Sequence, residues 1–196
     1  MRKNLITSFL YTFVTAILLG ICYPLLMTGL AQTFFHYKAN GQLVTKNGVA
    51  IGSRILGQPF TDPGYFYSRP SAAGTNGYDA SSSGGSNYGP TNKKYIDRVE
   101  SDVAELQKEN PGVPVPIDLV TTSASGLDPD ITPAAAAFQV PRIAKARGVP
   151  IAEVQQLVAK HIEPRQFGFL GEPRVNVLEL NLDLDKTISS APPLGR

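Results

Sequence analysis

The sequence has one cysteine, two histidines and no tryptophan among its 196 residues. A lone cysteine excludes an internal disulfide and a cysteine-rich zinc cluster. Two histidines leave little for a metal centre and argue against a Ser-His-Asp triad. Gly-x-Ser-x-Gly is absent, and Ser123-Ala124-Ser125-Gly126 lacks the first glycine of that nucleophile motif. Charge is scarce at 17%, against roughly 25% in an average soluble domain. A disordered chain held open by its own charge is therefore excluded. The net charge of +2 shows no basic excess of the kind a nucleic-acid binder carries.

Charge is missing most completely between Lys3 and Lys38, where no residue carries any. The stretch from Leu5 to Phe35 is 31 residues of mostly Leu, Ile, Phe, Val and Ala. A bilayer core needs about 20 apolar residues in a helix, so this run predicts a single membrane-spanning helix. A cleaved signal peptide has an apolar core of only about 7–15 residues, which favours an anchor. Gly20 and Pro24 predict a kink in the span. Arg2 and Lys3 predict a cytoplasmic N-terminus by the positive-inside rule. The remainder then lies outside the cytoplasm, giving an anchor over residues 1–37 and an extracytoplasmic domain over 38–196. Subtracting Arg2 and Lys3 from the 18 Lys+Arg leaves 16, equal to the 16 Asp+Glu, so the outer domain is formally neutral. Thr12, Ala16 and Gly20 recur at spacing four and form a small-residue face suited to close helix contact.

Beyond the anchor, Asn40-Gly41 and Asn47-Gly48 flank alternating apolar residues and predict a β-hairpin over 38–56. Residues 57–90 hold 7 of the 18 glycines and four of the eight tyrosines. Tyr65, Tyr67, Tyr78 and Tyr88, with Phe60 and Phe66, predict an ordered loop packed by aromatics rather than a linker. Ile96, Val99, Val103 and Leu106 mark one face of a helix opened by Asn92. Leu119 and Val120 suggest a short strand, and residues 123–130 a turn-rich loop. Thr132-Pro133 opens a second helix that Gly148 closes, with Pro141 predicting a kink or break within it. A third helix starts near Pro150 and carries His161 or Ile162 on its apolar face. Leu178 to Asp185 alternates without exception and predicts a half-buried strand. The tail from Ser189 is polar and contains proline. The element order is that of a mixed α+β domain.

Two loops invite chemistry. Asp128 and Asp130 flank Pro129, but without EF-hand spacing they predict loop bracing or helix capping. Ser83, Gly84, Gly85, Ser86 and Asn87 precede a helix and carry small residues whose amides can cradle an anion. They form a nucleotide candidate, although the lysine of the Walker motif is missing.

Several stretches, in order along the chain, resemble one family. They are Tyr65-Phe66-Tyr67-Ser68-Arg69-Pro70-Ser71-Ala72, Ser83-Gly84-Gly85-Ser86-Asn87-Tyr88-Gly89-Pro90-Thr91-Asn92 and Pro114-Val115-Pro116-Ile117-Asp118-Leu119-Val120. Further along stand Ser123-Ala124-Ser125-Gly126-Leu127-Asp128-Pro129-Asp130-Ile131, Gln139-Val140-Pro141-Arg142-Ile143-Ala144 and Leu170-Gly171-Glu172-Pro173-Arg174-Val175-Asn176-Val177-Leu178. Together, behind one N-terminal span, they resemble the C subunit of the bacterial Kdp potassium-transporting P-type ATPase. Thr122, Ala124 and Asp130 depart from the family's usual alanine, glycine and histidine.

The resemblance implies a non-catalytic accessory subunit of an inner-membrane potassium-uptake complex. Its partners would be a potassium-channel-like subunit, a P-type ATPase pump subunit and a small single-span peptide. Two roles are implied. One raises the ATP affinity of the pump subunit, with Ser83–Asn87 near the nucleotide; the predicted topology opposes it, because ATP is cytoplasmic. The other is assembly and docking outside the membrane, with Tyr65, Tyr67, Arg69, Tyr88, Arg142 and Arg174 as contact candidates beside the Thr12, Ala16, Gly20 face. A membrane-anchored extracytoplasmic hydrolase or binding protein is the alternative. Leu184-Asp185-Lys186-Thr187 matches the opening of the P-type phosphorylation motif, but Ile188 replaces its glycine, so the match is read as coincidence.

Overall fold

A computed structural model describes residues 1–188. The expectation for the tail from Ser189 lies outside the described residues. The chain forms two compact units, Met1–Leu43 and Val44 onward.

The first unit is helical. Helix α1 spans Arg2–Ile17, a π-helical turn covers Leu18–Cys22, and α2 runs Tyr23–Phe34. Together they make one helix of 33 residues, with a mean hydropathy of 2.1 over an 18-residue stretch, long and apolar enough to cross a membrane. The π turn has a local cause. Pro24 has no N–H to give to Gly20 and its ring would press on that carbonyl. One residue earlier, the Tyr23 N–H already reaches Leu18 rather than Leu19, which widens the turn ahead of the proline. Thr15, Thr28 and Thr33 return their hydroxyls to carbonyls three or four residues back, so these polar groups are satisfied within the helix. A short helix α3, His36–Ala39, follows.

The second unit begins one residue into the first of two paired strands, β1 (Leu43–Lys46) and β2 (Val49–Ser53). Asn47 and Gly48 both take positive φ, 53° and 79°, as a two-residue hairpin turn requires. The predicted hairpin is present. The chain then runs without helix or strand to Asn92. Helix α4 is Lys93–Glu109, with the Asn92 side chain accepting from the amides of Lys94 and Tyr95. Residues 117–119 form a 3₁₀ turn, not the suggested short strand at Leu119-Val120. Strand β3 is Asp130–Ile131, helix α5 Pro133–Arg147 and helix α6 Ile151–Lys160. Strands β4 (Ile162–Glu163) and β5 (Arg174–Asn176) and helix α7 (Val177–Thr187) complete it. A small antiparallel sheet has the order β3-β5-β4, with Ile131 and Ile162 both paired to Val175. The fold is α+β as the element order implied.

Most of the core comes from three helices. Phe138, Val140 and Ile143 of α5, Val154, Leu157 and Val158 of α6, and Val177, Leu180 and Leu184 of α7 pack with Ile131, Val175 and Phe66. Helix α5 begins where expected, the Thr132 hydroxyl accepting from the Ala135 amide, and ends on Gly148 at φ 67°. Pro141 does not break it. The carbonyl its ring would displace is that of Ala137, an exposed residue, so water can satisfy that oxygen.

The segment Leu178–Asp185 is helix, a correction to the predicted strand. Read at helical spacing, Val177, Leu178, Leu180, Asn181 and Leu184 are buried on one side, and Leu182 is left only half-buried. Asn176 caps the helix by accepting from the Glu179 amide at 3.1 Å. His161 does not sit on the apolar face of α6. It terminates that helix and lies 3.0 Å from Asp183 Oδ2.

Candidate functional site

The irregular segment between β2 and α4 is the heart of the second unit, and helices α5 and α7 hold it. Phe66 is fully buried and Tyr65 only 5% exposed, which anchors the loop as its aromatics predicted. With no sheet partner, the backbone there is served by side-chain amides. Asn181 Oδ1 accepts from the Phe66 amide at 2.8 Å, and Asn181 Nδ2 donates to the Phe66 carbonyl at 3.0 Å. Gln139 does the same for Tyr67, at 2.7 and 3.2 Å.

Two arginines complete the grip. Arg142 donates to the carbonyls of Pro63 and Tyr65 and to Gln139, and its guanidinium lies 3.8 Å from the centre of the Tyr67 ring. Burial lowers its pKa from the ordinary arginine value. Arg147, 3% exposed, donates to the Gly64 and Ile188 carbonyls and pairs with Asp185 at 2.9 Å. The Tyr65 hydroxyl donates to Asp185 as well. Burial, then that carboxylate, pushes the Tyr65 hydroxyl up to about 12. Asp185, the aspartate of the apparent phosphorylation motif, is thus engaged in an internal ion pair.

The sequence candidates fall into two groups. Tyr65, Tyr67, Arg69, Arg142 and Arg174 all make contacts inside the second unit. Arg69 pairs with Asp128 at 2.9 Å, and Arg174 with Asp130 and Glu163. Burial raises the Asp130 carboxyl above its ordinary value, against the pull of Asn176 and Arg174. Asp128 and Asp130 therefore brace the loop ahead of α5. Tyr88, by contrast, is 46% exposed. Thr12, Ala16 and Gly20 are exposed along the first helix, with Gly20 inside the π turn.

Ser83 to Asn87 packs on residues 123–126. The Gly84 amide and Ser83 hydroxyl both donate to the Ser125 carbonyl. A side chain on Gly85 would meet the Ala124 carbonyl at 3.1 Å. Gly126, at φ 67°, allows the return approach; a Cβ there would lie 2.6 Å from the Gly84 carbonyl. The glycines therefore serve a close backbone joint. One amide of the anion candidate is already engaged, and the nearby α4 N-terminus is capped by Asn92.

Two features escaped the sequence reading. The turn after β4 carries Phe167 at 87% exposure and Phe169 at 70%, beside the exposed Leu170. Arg165 and Glu172 pair at 2.6 Å across its base. Its signal was Phe167-Gly168-Phe169-Leu170 between opposite charges. The second is an open groove of about 1000 Å³ between α4 and the segment 67–88, lined by Ser68, Ser86, Arg98, Asp102, Glu105 and Glu109 among others. No group of three or more metal-ligating side chains exists among the described residues.

Comparison with known proteins agrees on one family. The family described as KdpC, the c chain of a K+-transporting ATPase, matches residues 5–186. A Koribacter versatilis protein named potassium-transporting ATPase KdpC subunit is 68% identical over 187 residues, 95% of this chain and 96% of its own length. Its namesake in Acidobacterium capsulatum is 60% identical over 184 residues, 94% and 98% of the two chains. That of Caulobacter vibrioides is 51% identical over 196 residues, 100% and 95%.

Proposed function

The chain belongs to the KdpC family of K+-transporting ATPase c chains, and from that membership we propose that it is the docking subunit of such a pump. It holds a channel-like subunit and an ATP-hydrolysing subunit together and has no catalysis of its own. The exposed apolar surface carries this reading. All of Arg2–Phe34 lacks a buried residue, and the tip at Phe167 and Phe169 faces solvent. Apolar surface of that kind is stable in lipid or against a partner, not in water. The helix sits in the inner membrane with Arg2 and Lys3 on the cytoplasmic side, and the unit from Val44 lies outside. The small single-span peptide of the complex is a further neighbour.

The nucleotide role for Ser83–Asn87 is the weaker reading. Its Gly84 amide is engaged and the groove beside it is lined by three carboxylates, which repel a triphosphate. The test is potassium uptake from dilute medium by cells lacking the chain. The docking reading predicts that high-affinity uptake disappears and that the full chain restores it. Uptake unchanged by the deletion would reject it.

A further inference from the structure

Helix α4 is amphipathic, yet none of its 17 residues is buried, and Ile96 on its apolar face is 39% exposed. It forms one wall of the groove of about 1000 Å³. That is the upper end of the range for small-ligand pockets, roughly 300–1000 Å³, and the groove is open to solvent.

The lining of the groove is chemically one-sided. Asp102, Glu105 and Glu109 project from one helix face at spacings of three and four. Arg98 pairs with Asp102 at 2.9 Å, and Arg142 Nε lies 3.1 Å from Glu109. Glu105 has no ion-pair partner among the described residues. Across the groove stands Ser68, 8% exposed, whose Oγ meets no hydrogen-bond partner among the described residues. Arg98 Nη2 is likewise buried and unpartnered. Buried polar atoms in folded proteins are nearly always paired, so these two donors lack an acceptor.

We propose that this groove binds an extended peptide segment of a partner subunit through a basic side chain. The proposal rests on the docking reading above and names the recognition site. The cation meets Glu105, flanked by Asp102 and Glu109. Backbone carbonyls of the segment accept from Ser68 Oγ and Arg98 Nη2. The chain already shows this chemistry next door, where the Arg142 guanidinium rests on the Tyr67 ring beside Glu109. A ligand with an acceptor and a cation suits both walls, whereas an anion suits only Arg98.

The test is calorimetric titration of the full chain in detergent with N-acetyl-Gly-Arg-Gly-amide and its norleucine analogue. The arginine peptide is expected to bind saturably with a millimolar Kd, and the norleucine peptide not at all. Glu105→Gln should weaken binding about tenfold. Ser68→Ala should weaken it several-fold while leaving the unfolding midpoint unchanged or raised, since it removes an unpaired hydroxyl. No saturation up to about 10 mM, equal binding of the two peptides, or indifference to Glu105→Gln would each overturn the proposal. Co-purification of the partner subunits is measured in parallel on wild-type chain. If they co-purify while the peptide does not bind, the groove proposal falls and the docking reading stands. If neither is seen, both fall.

Discussion

Asn181 of helix α7 holds Phe66 by both backbone groups, accepting from its amide at 2.8 Å and donating to its carbonyl at 3.0 Å. The side chain acts as a sheet neighbour for a segment that has none. Asn181 is fully buried and so is Phe66. Replacing the amide by an apolar side chain strands a buried N–H and C=O together. Asn181→Leu is expected to cost about 2–4 kcal/mol, the sum of two unsatisfied groups. Chemical unfolding of the full chain in detergent reads it. A loss below about 0.5 kcal/mol, the scale of neutral surface changes, would show that Phe66 finds other partners.

Gly126 and Gly84 make a sharper contrast. Gly126 sits at φ 67°, and a Cβ there would meet the Gly84 carbonyl at 2.6 Å. Gly126→Ala is expected to cost at least about 1–3 kcal/mol, from strain and displacement of the joint. Gly84 has nothing within 4 Å of a built Cβ, so Gly84→Ala should stay within about 0.5 kcal/mol. Equal effects of the two on unfolding midpoint would contradict the close joint.

Tyrosine ionisation gives a pH signature. Burial pushes the hydroxyls of Tyr65 and Tyr78 up to about 12 from 10.0, and that of Tyr67 upward as well. The unfolded chain loses these protons first, near 10. Stability from them is therefore constant below pH 10 and falls as pH rises from 10 towards 12. Absorbance titration of tyrosinate should show a late phase in the folded chain, reduced by Tyr78→Phe. A single phase near 10 for every tyrosine would contradict the burial of these hydroxyls.

The membrane side of the unit from Val44 onward is open to labelling. Cys22 is the chain's one cysteine, so a Cys22→Ala background leaves a single introduced thiol. Ser82 is exposed, just ahead of the serine-glycine stretch. Ser82→Cys should react with a membrane-impermeant maleimide added to intact spheroplasts. Reaction only after the cytoplasmic face is opened would reverse the topology and favour the nucleotide role for Ser83–Asn87.

Much of this was legible in the sequence because the signals were local. Asn47-Gly48 fixed a hairpin, Asn92 and Thr132 capped helices, Gly148 ended one, and the uncharged run marked the long first helix. At Leu178–Asp185 the alternation misleads, because the segment is helix. Leucine at every second position satisfies a strand, but it also leaves buried positions at helical spacing once Val177 and Asn181 are counted. The pair Asn176 and Glu179, three apart, was the capping signal that decides for helix. Strands of two or three residues carry no periodicity, so β3, β4 and β5 were out of reach. The same holds for the groove, because Ser68 and Glu105 are brought together by tertiary packing alone. Arg142 and Arg174 stood out as candidate contacts, and the structure gives them partners within the chain.

The most direct measurement is co-purification. The pump subunit carries an affinity tag, and the channel-like subunit is quantified in the eluate from membranes with and without this chain. The docking account predicts that the channel-like subunit is lost without the chain and restored by the wild type. It predicts only partial restoration by Phe167→Ser with Phe169→Ser, two residues 87% and 70% exposed and outside the hydrophobic core. Full recovery of the channel-like subunit in the absence of the chain would contradict it.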